Sequence, residues 1–316
     1  MRKIFTIGET VLDIIFKNGQ PVAATAGGSM LNTAVSLGRL GLPVHFISEY
    51  GIDPVGIQID KFLNNNGINT DYVYHFNDGK SALALAFLDD NNNASYTFYK
   101  SYPQKRFDIA FPEVNDDDMV MFGSIYGVAM EIRETLREFL LYAKSRNALI
   151  YYDPNFRKAH LHELEMLKPA ILENMSLATI VRASDEDLEL IFGAQGFESA
   201  YAAVSPLCPN LIYTSSSKAV YLRTASGVSC SQPTLKIEPV STIGAGDTFN
   251  AGIAFGLYNH RIGNGALASV TEATWQQLLG YGIDFATEVC LSYDNYISAE
   301  FVKKQNKLNH IDNSKK

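Results

Sequence analysis

The chain has 316 residues, of which 47% are hydrophobic and 19% charged, with a formal net charge of −8 and a pI near 5.3. These values describe a globular protein with a substantial core, built as one large or two modest domains. They argue against a nucleic-acid partner, because the Lys-rich tail "KKQNKLNHIDNSKK" is the one basic stretch, and it reads as a frayed, solvated C-terminus. Three cysteines, Cys208, Cys230 and Cys290, are odd in number and far apart, which argues for a reducing compartment rather than a disulfide framework. The opening "MRKIFTIGETVLDII" is interrupted by Glu9 and Asp13, so it reads as neither a signal peptide nor a membrane span. The expectation is a cytoplasmic protein with no membrane partner.

In chain order, "KIFTIG" (3–8) reads as a buried first strand, followed by two short alternating runs around the Asn18-Gly19 hairpin signal. "MLNTAVSLGRLG" (30–41) has apolar residues at helical spacing and a glycine stop. "PVHFISEYG" is a strand and "VGIQIDKFLNNNG" a helix, so a βαβ pattern and a parallel sheet are expected. Residues 81–101 read as two alternating strands around an Asp/Asn-rich turn, able to form a small separate sheet with 11–26. From 118 the α/β alternation returns: a strand "DMVMFGS", a helix "MEIRETLREFLLYAKSRN", strands "ALIYYD" and "SLATIVRA", and a helix "DEDLELIFG". Strands "PNLIYTSS" and "AVYLRT" follow, then helices over 247–258 and 273–291. No internal repeat, linker or low-complexity segment appears. The expectation is a main α/β body with a small β lid.

Two nucleotide signatures are absent. "GKS" at 79–81 lacks the upstream glycine of a P-loop, since residue 74 is Tyr, and no GxGxxG follows the first strand. The six histidines are scattered, and the pair His160 and His162 faces two directions on a helix, which reads as surface rather than metal-ligating. No nucleophile elbow or Cys/His pairing is suggested.

"STIGAGDTFNAGIAFGL" (241–257) carries more chemistry. Gly244, Ala245 and Gly246 lead into a helix whose first N–H groups attract anions, yet Asp247 follows at once. One reading is a flexible turn with Asp247 complementing the helix dipole. The other is an anion hole for a transferring phosphoryl group, beside a carboxylate that takes a proton from the attacking hydroxyl.

This stretch resembles the C-terminal signature of the ribokinase-like (PfkB) carbohydrate kinases. "AGGSMLNTAVSLGRLGLPVHFISEYGIDPVG" (26–56) is similar to their N-terminal signature, and "YDPNFR" (152–157) to their Asp-Pro-Asn-x-Arg stretch. The resemblance, over roughly residues 3–292, implies a three-layer α/β/α fold. Its central sheet would be mostly parallel, and lid segments at about 11–26 and 78–105 would sit within a single kinase domain, 1–316. It implies Asp247 as the base, Gly244, Ala245 and Gly246 as the anion hole, and Asp13, Gly27, Gly28 and Asn32 as sugar contacts. Asp153, Asn155, Arg157 and Lys100 are expected at the substrate. Thr214, Ser216, Ala219 and Thr287 fall at the nucleotide, and Ser184 and Asp187 stand where the family's Asn-x-x-Glu holds magnesium through water.

The chain departs from the family pattern at Ser241 and Ile243, which leaves dependence on a monovalent cation open. It departs again at Thr214-Ser215-Ser216-Ser217-Lys218-Ala219, where two glycines are replaced, which leaves the nucleotide donor open. The resemblance implies an ATP- and magnesium-dependent sugar kinase acting on a primary hydroxyl. Fructose is the expected acceptor and 2-dehydro-3-deoxygluconate the alternative. A non-catalytic sugar-binding regulator on the same fold is the competing class. Exposed lid edges suit a homodimer.

Overall fold

Residues 4–7 are buried without a break, so β1 (Ile4–Ile7) is a central strand covered on both faces. The structure, a computed structural model, describes residues 2–89, 94–216 and 218–313. After β1 come β2 (Val11–Lys17) and β3 (Gln20–Gly27), paired antiparallel around Asn18-Gly19, then α1 (Ser29–Arg39) and β4 (Val44–Gly51). In α2 (Pro54–Asn65) the Asp53 carboxylate caps the first turn, accepting from the N–H groups of Val55 and Gly56, and Pro54 sits where no N–H is needed. β5 (Asn69–Phe76), β6 (Lys80–Leu88), β7 (Ala94–Ser101) and β8 (Met119–Gly123) follow. The next elements are α3 (Arg133–Ser145), β9 (Leu149–Asp153), α4 (Leu164–Leu177), β10 (Ile180–Ser184), α5 (Asp185–Phe192) and α6 (Phe197–Val204). β11 (Leu211–Ser215), β12 (Ala219–Arg223), β13 (Ser229–Pro233), α7 (Ala245–Asn259), α8 (Glu272–Cys290) and α9 (Ala299–Asn313) complete the chain.

Among the described residues, nine strands form one sheet in the order β13-β12-β11-β10-β9-β8-β1-β4-β5. Pairing is parallel from β5 to β11, and β12 and β13 add antiparallel at the far edge. Successive residues alternate between two cores. Met119, Met121, Leu149 and Tyr151 pack toward α1, α7 and α8, while Val120, Phe122, Ile150 and Tyr152 pack toward α3 and α4. Helices on both faces make the three layers. β2, β3, β6 and β7 form a separate four-stranded sheet in the order β3-β2-β6-β7, with β2 and β6 parallel at its centre. This is the lid. The Ser81 N–H on β6 donates to Asp53 Oδ2 at 2.8 Å, so the cap of α2 also ties the lid to the body.

Four elements lie outside the sequence reading: β5, whose mixed burial gives no clean alternation, and α4, α6 and β13. The tail is a correction. Residues 299–313 form α9, with Phe301 buried edge-on against Phe285 at 5.1 Å and Gln305 buried beside it. Phe301, with half-buried Val302 beside it, docks the first turn of a helix that is charged elsewhere. No helix among the described residues is long and apolar enough to cross a membrane.

Candidate active site

α7 starts on Gly244, whose φ of 79° is a left-handed conformation, and a Cβ there would stand 2.8 Å from the Asn295 carbonyl oxygen. Only glycine meets both conditions. The Ala245 N–H turns back to the Thr242 carbonyl at 3.3 Å. Those of Gly246 and Asp247 have no partner among the described residues, so these two supply the open donors of the helix start.

The Asp247 carboxylate belongs to the same turn and is 8% exposed. Ser29 Oγ donates to its Oδ1 at 2.7 Å, and Asn32 Nδ2 donates to its Oδ2 at 2.9 Å. Thr33 Oγ1 donates to its carbonyl at 2.8 Å, so the first turn of α1 fixes both side chain and backbone. Burial pushes the Asp247 pKa above the ordinary carboxylate value; the bonds from Asn32 and Ser29 pull it back, and nearby Asp153 adds to the rise. Asn32 therefore faces the carboxylate with its amide, and its buried Oδ1 has no partner among the described residues.

Asp13, on β2, lies against Gly27 of the paired strand: a Cβ on Gly27 would overlap Asp13 Oδ2, so the missing side chain makes room for this carboxylate. Asp13 accepts no hydrogen bond among the described residues, and burial raises its pKa to about 6.

A cavity of about 440 Å³ opens between the lid and the carboxyl ends of β1, β8 and β9. Parallel sheets place their ligand crevices at such edges. Of the expected residues, Gly28, Asn155, Arg157 and Lys100 line it. Asp247, Asn32 and Gly27 stand just behind this wall, Asp247 through its bond to Ser29, which does line it. Glu9, Tyr126 and His160 also line it. His160 Nδ1 lies 2.7 Å from Glu163 Oε2, and with its side chain 36% exposed it borders the cavity from the surface.

Two expectations are corrected by their surroundings. Asp153 does not face the cavity: it is fully buried, and its Oδ2 accepts from Arg182 Nη1 at 2.8 Å and Asn250 Nδ2 at 2.6 Å. Its Oδ1 accepts the Asn155 N–H at 3.0 Å, which shapes the loop that presents Asn155 and Arg157. Ser184 and Asp187 form a capping box on α5 instead of an open metal site. Asp187 Oδ2 accepts from the Ser184 N–H and Oγ, and Oδ1 accepts the Phe156 N–H at 2.6 Å, so both oxygens are occupied. Burial, then Asp153, pushes the Asp187 pKa up. Among the described residues no group of three His, Cys, Asp or Glu side chains is gathered to hold a metal.

Thr214 Oγ1 accepts from Arg182 Nη2 at 2.8 Å at the end of β11. Ser216 occupies an exposed turn with φ 39°, Ala219 opens β12, Thr287 is half-buried on α8, and Ser217 lies outside the described residues. Arg182 itself is the residue that motif reading missed. It is 6% exposed, and its Nη1 is 3.0 Å from where a Cβ of Gly246 would lie, so a cation sits under the first turn of α7. Burial opposes its charge, yet Asp153 and Asp187 hold its pKa above the ordinary value. A lone arginine inside the apolar strand "IVRAS" was the available signal.

The chain is 30% identical over 265 residues to a fructokinase of Rhizobium leguminosarum bv. trifolii, covering 79% of this chain and 78% of that one. Its fold superposes with a TM-score of 0.81 and 20% identity on an aminoimidazole riboside kinase from Salmonella enterica, solved with aminoimidazole riboside and an ATP analogue, over 98% of this chain and 100% of that one. A fructokinase double mutant from Vibrio cholerae O395, solved with fructose, ADP and a potassium ion, matches with a TM-score of 0.80 and 20% identity over 95% of each chain. The pfkB family carbohydrate kinase model matches residues 1–294. The chain is therefore a member of the pfkB family of carbohydrate kinases, a sugar phosphotransferase with the ribokinase-like fold.

Proposed function

We propose that this kinase, acting as a single domain, transfers the γ-phosphoryl group of ATP to a primary hydroxyl of fructose. One observation carries the reading: an ionisable carboxylate, Asp247, held by two donors, shares a helix turn with unpartnered N–H groups of Gly246 and of its own backbone. The acceptor hydroxyl would sit between them. As its oxygen forms a bond to the γ-phosphorus and the bond to the β–γ bridging oxygen breaks, Asp247 takes the proton. The open N–H groups, with Arg182 beneath, stabilise charge growing on the transferring oxygens. Closure of the lid over the cavity keeps water from competing as acceptor.

Magnesium is the expected companion of the nucleotide phosphates. Ser184 and Asp187 are spent on capping, so no protein ligand is assigned to it and no step depends on one. A monovalent cation is not assigned either.

Fructose rests on the named fructokinase relative. Arg157 on the cavity wall favours the second reading, 2-dehydro-3-deoxygluconate, whose carboxylate it would meet. We also propose a cytoplasmic homodimer paired through the lid, whose exposed Val22, Phe87 and Tyr99 offer apolar surface. Light scattering that shows only monomer at micromolar concentration overturns the dimer.

The deciding experiment measures ATP consumption with magnesium against fructose, 2-dehydro-3-deoxygluconate, ribose, glucose and adenosine. Turnover on fructose that is lost in Asp247→Asn supports the reading. Sugar binding without turnover supports the non-catalytic regulator instead.

A further inference from the structure

We propose that Glu9 sets the acceptor preference of this cavity by neutralising Lys100, so that the lid presents a charge-compensated wall suited to an uncharged sugar. The inference rests on the reading of this cavity as the acceptor site.

Both residues line the cavity, Glu9 from the loop after β1 and Lys100 from lid strand β7. Lys100 Nζ lies 2.7 Å from Glu9 Oε1. Tyr102 Oη donates to the same oxygen at 2.5 Å, so the carboxylate is gripped twice by the segment that leaves the lid. The grip extends inward. The Arg106 guanidinium lies 3.5 Å from the centre of the Tyr102 ring, and Arg106 is paired with Glu49, their side chains 8% and 1% exposed. Glu49 also accepts the Phe107 N–H at 2.9 Å. A buried pair held this way fixes Tyr102, and through it Glu9, against the lid.

Two cations that follow β7 are also answered. Arg106 is committed to Glu49, and Lys105 is paired with Asp108 at 2.6 Å on the surface. Among the described residues Lys100 is the lid cation that lines the cavity, and Glu9 cancels it there, while Arg157 lines the cavity from the loop after β9. An exposed ion pair of this kind contributes little to folding stability. Its consequence lies in the local field: with Glu9 ionised, a carboxylate substrate meets a dipole rather than a free ammonium, while a neutral polyol keeps two polar groups to bond.

The test compares wild type, Glu9→Gln, Glu9→Asp, Lys100→Met and the Glu9→Gln/Lys100→Met double variant. The readout is the ratio of kcat/KM for 2-dehydro-3-deoxygluconate to that for fructose, with thermal melts to confirm folding. Glu9→Gln is expected to raise this ratio on the order of tenfold, the effect of exposing one cation a few ångströms from the substrate. Glu9→Asp keeps the charge and should keep the wild-type ratio. The double variant should lose the gain, because the cation that produced it is gone. An unchanged ratio in Glu9→Gln, or a gain that survives in the double variant, overturns the assignment. If the wild type turns over neither sugar, the same ratio is read from calorimetric binding: a shift there upholds the role of Glu9 while the kinase reading fails. No shift, tighter wild-type binding of the acid sugar, or no binding of either sugar overturns the role of Glu9.

Discussion

Asn32 and Asp247 stand 215 residues apart in the chain and meet in a 2.9 Å hydrogen bond that joins the first turns of α1 and α7. The bond makes Asn32 a positioning residue for the carboxylate. Asp247→Asn should lower kcat by about two to four orders of magnitude, the usual contribution of a placed general base. Asn32→Ala should lower kcat less and also move the acidic limb of its pH profile upward. The sign follows from chemistry: a donor to a carboxylate favours the charged form, so removing it raises the pKa of Asp247 further. A lower kcat with the limb unmoved would mean that Asn32 acts on the sugar instead.

Asp13 gives a second pH signature. Burial raises its pKa from 3.8 to about 6, so the folded state holds a proton that the unfolded chain releases between those values. Folding therefore takes up a proton, and stability from this group increases as pH falls through about 6 toward 4. Asp13→Asn should be more stable than wild type at pH 7 by on the order of 1–3 kcal/mol, with the difference vanishing below pH ~4. Urea unfolding of both proteins across that range is the measurement. A constant difference would show that Asp13 is ionised at its ordinary pKa in the fold.

The tail helix α9 is a structural element. Phe301 is 7% exposed and packs on Phe285, and among the described residues none of α9 lines the cavity. Phe301→Ala should cost about 3 kcal/mol of stability, as core phenylalanine truncations do. At 25 °C the folded fraction should keep its kcat/KM. Loss of turnover without loss of stability would place α9 in the working parts of the enzyme.

Much of this was legible in the sequence where local pattern and global fold agree. Alternation in 81–88 and the Asn18-Gly19 turn announced the lid, and four consecutive apolar or β-branched residues in 4–7 announced the central strand. β5 was not legible, because an edge strand with Asn69 half-buried, Asp71 and His75 exposed, and its tyrosines half-buried between them carries no clean period. α9 was masked by its lysines, since a helix docked through a few apolar positions has a weak periodic signal. The site divides along the same line. Asp247 and the glycine start are contiguous in sequence and could be read together. Glu9 with Lys100, Ser29 with Asp247 and Arg182 with Asp153 become neighbours only through the fold. A carboxylate at the end of a strand looks the same whether it turns to a ligand or inward to an arginine 29 residues away.

Asp153 tests that distinction directly. Its carboxylate is the shared acceptor of Arg182 and Asn250, and Asn250 in turn accepts from Tyr151 Oη at 2.9 Å, so a fully buried charge is matched by a network that spans β9, β10 and α7. Removing one partner of such a pair leaves the other charge buried alone, which costs far more than the pair contributes. Asp153→Ala should therefore destabilise the fold by about 3–5 kcal/mol. Asp153→Asn, which keeps an acceptor but loses the charge, should fall between it and wild type. Because Arg182 underlies the start of α7, the surviving folded enzyme should show a lower kcat with an unchanged KM for sugar. Stability kept at the wild-type level with a sharply raised sugar KM would return Asp153 to the substrate contacts that its motif suggests.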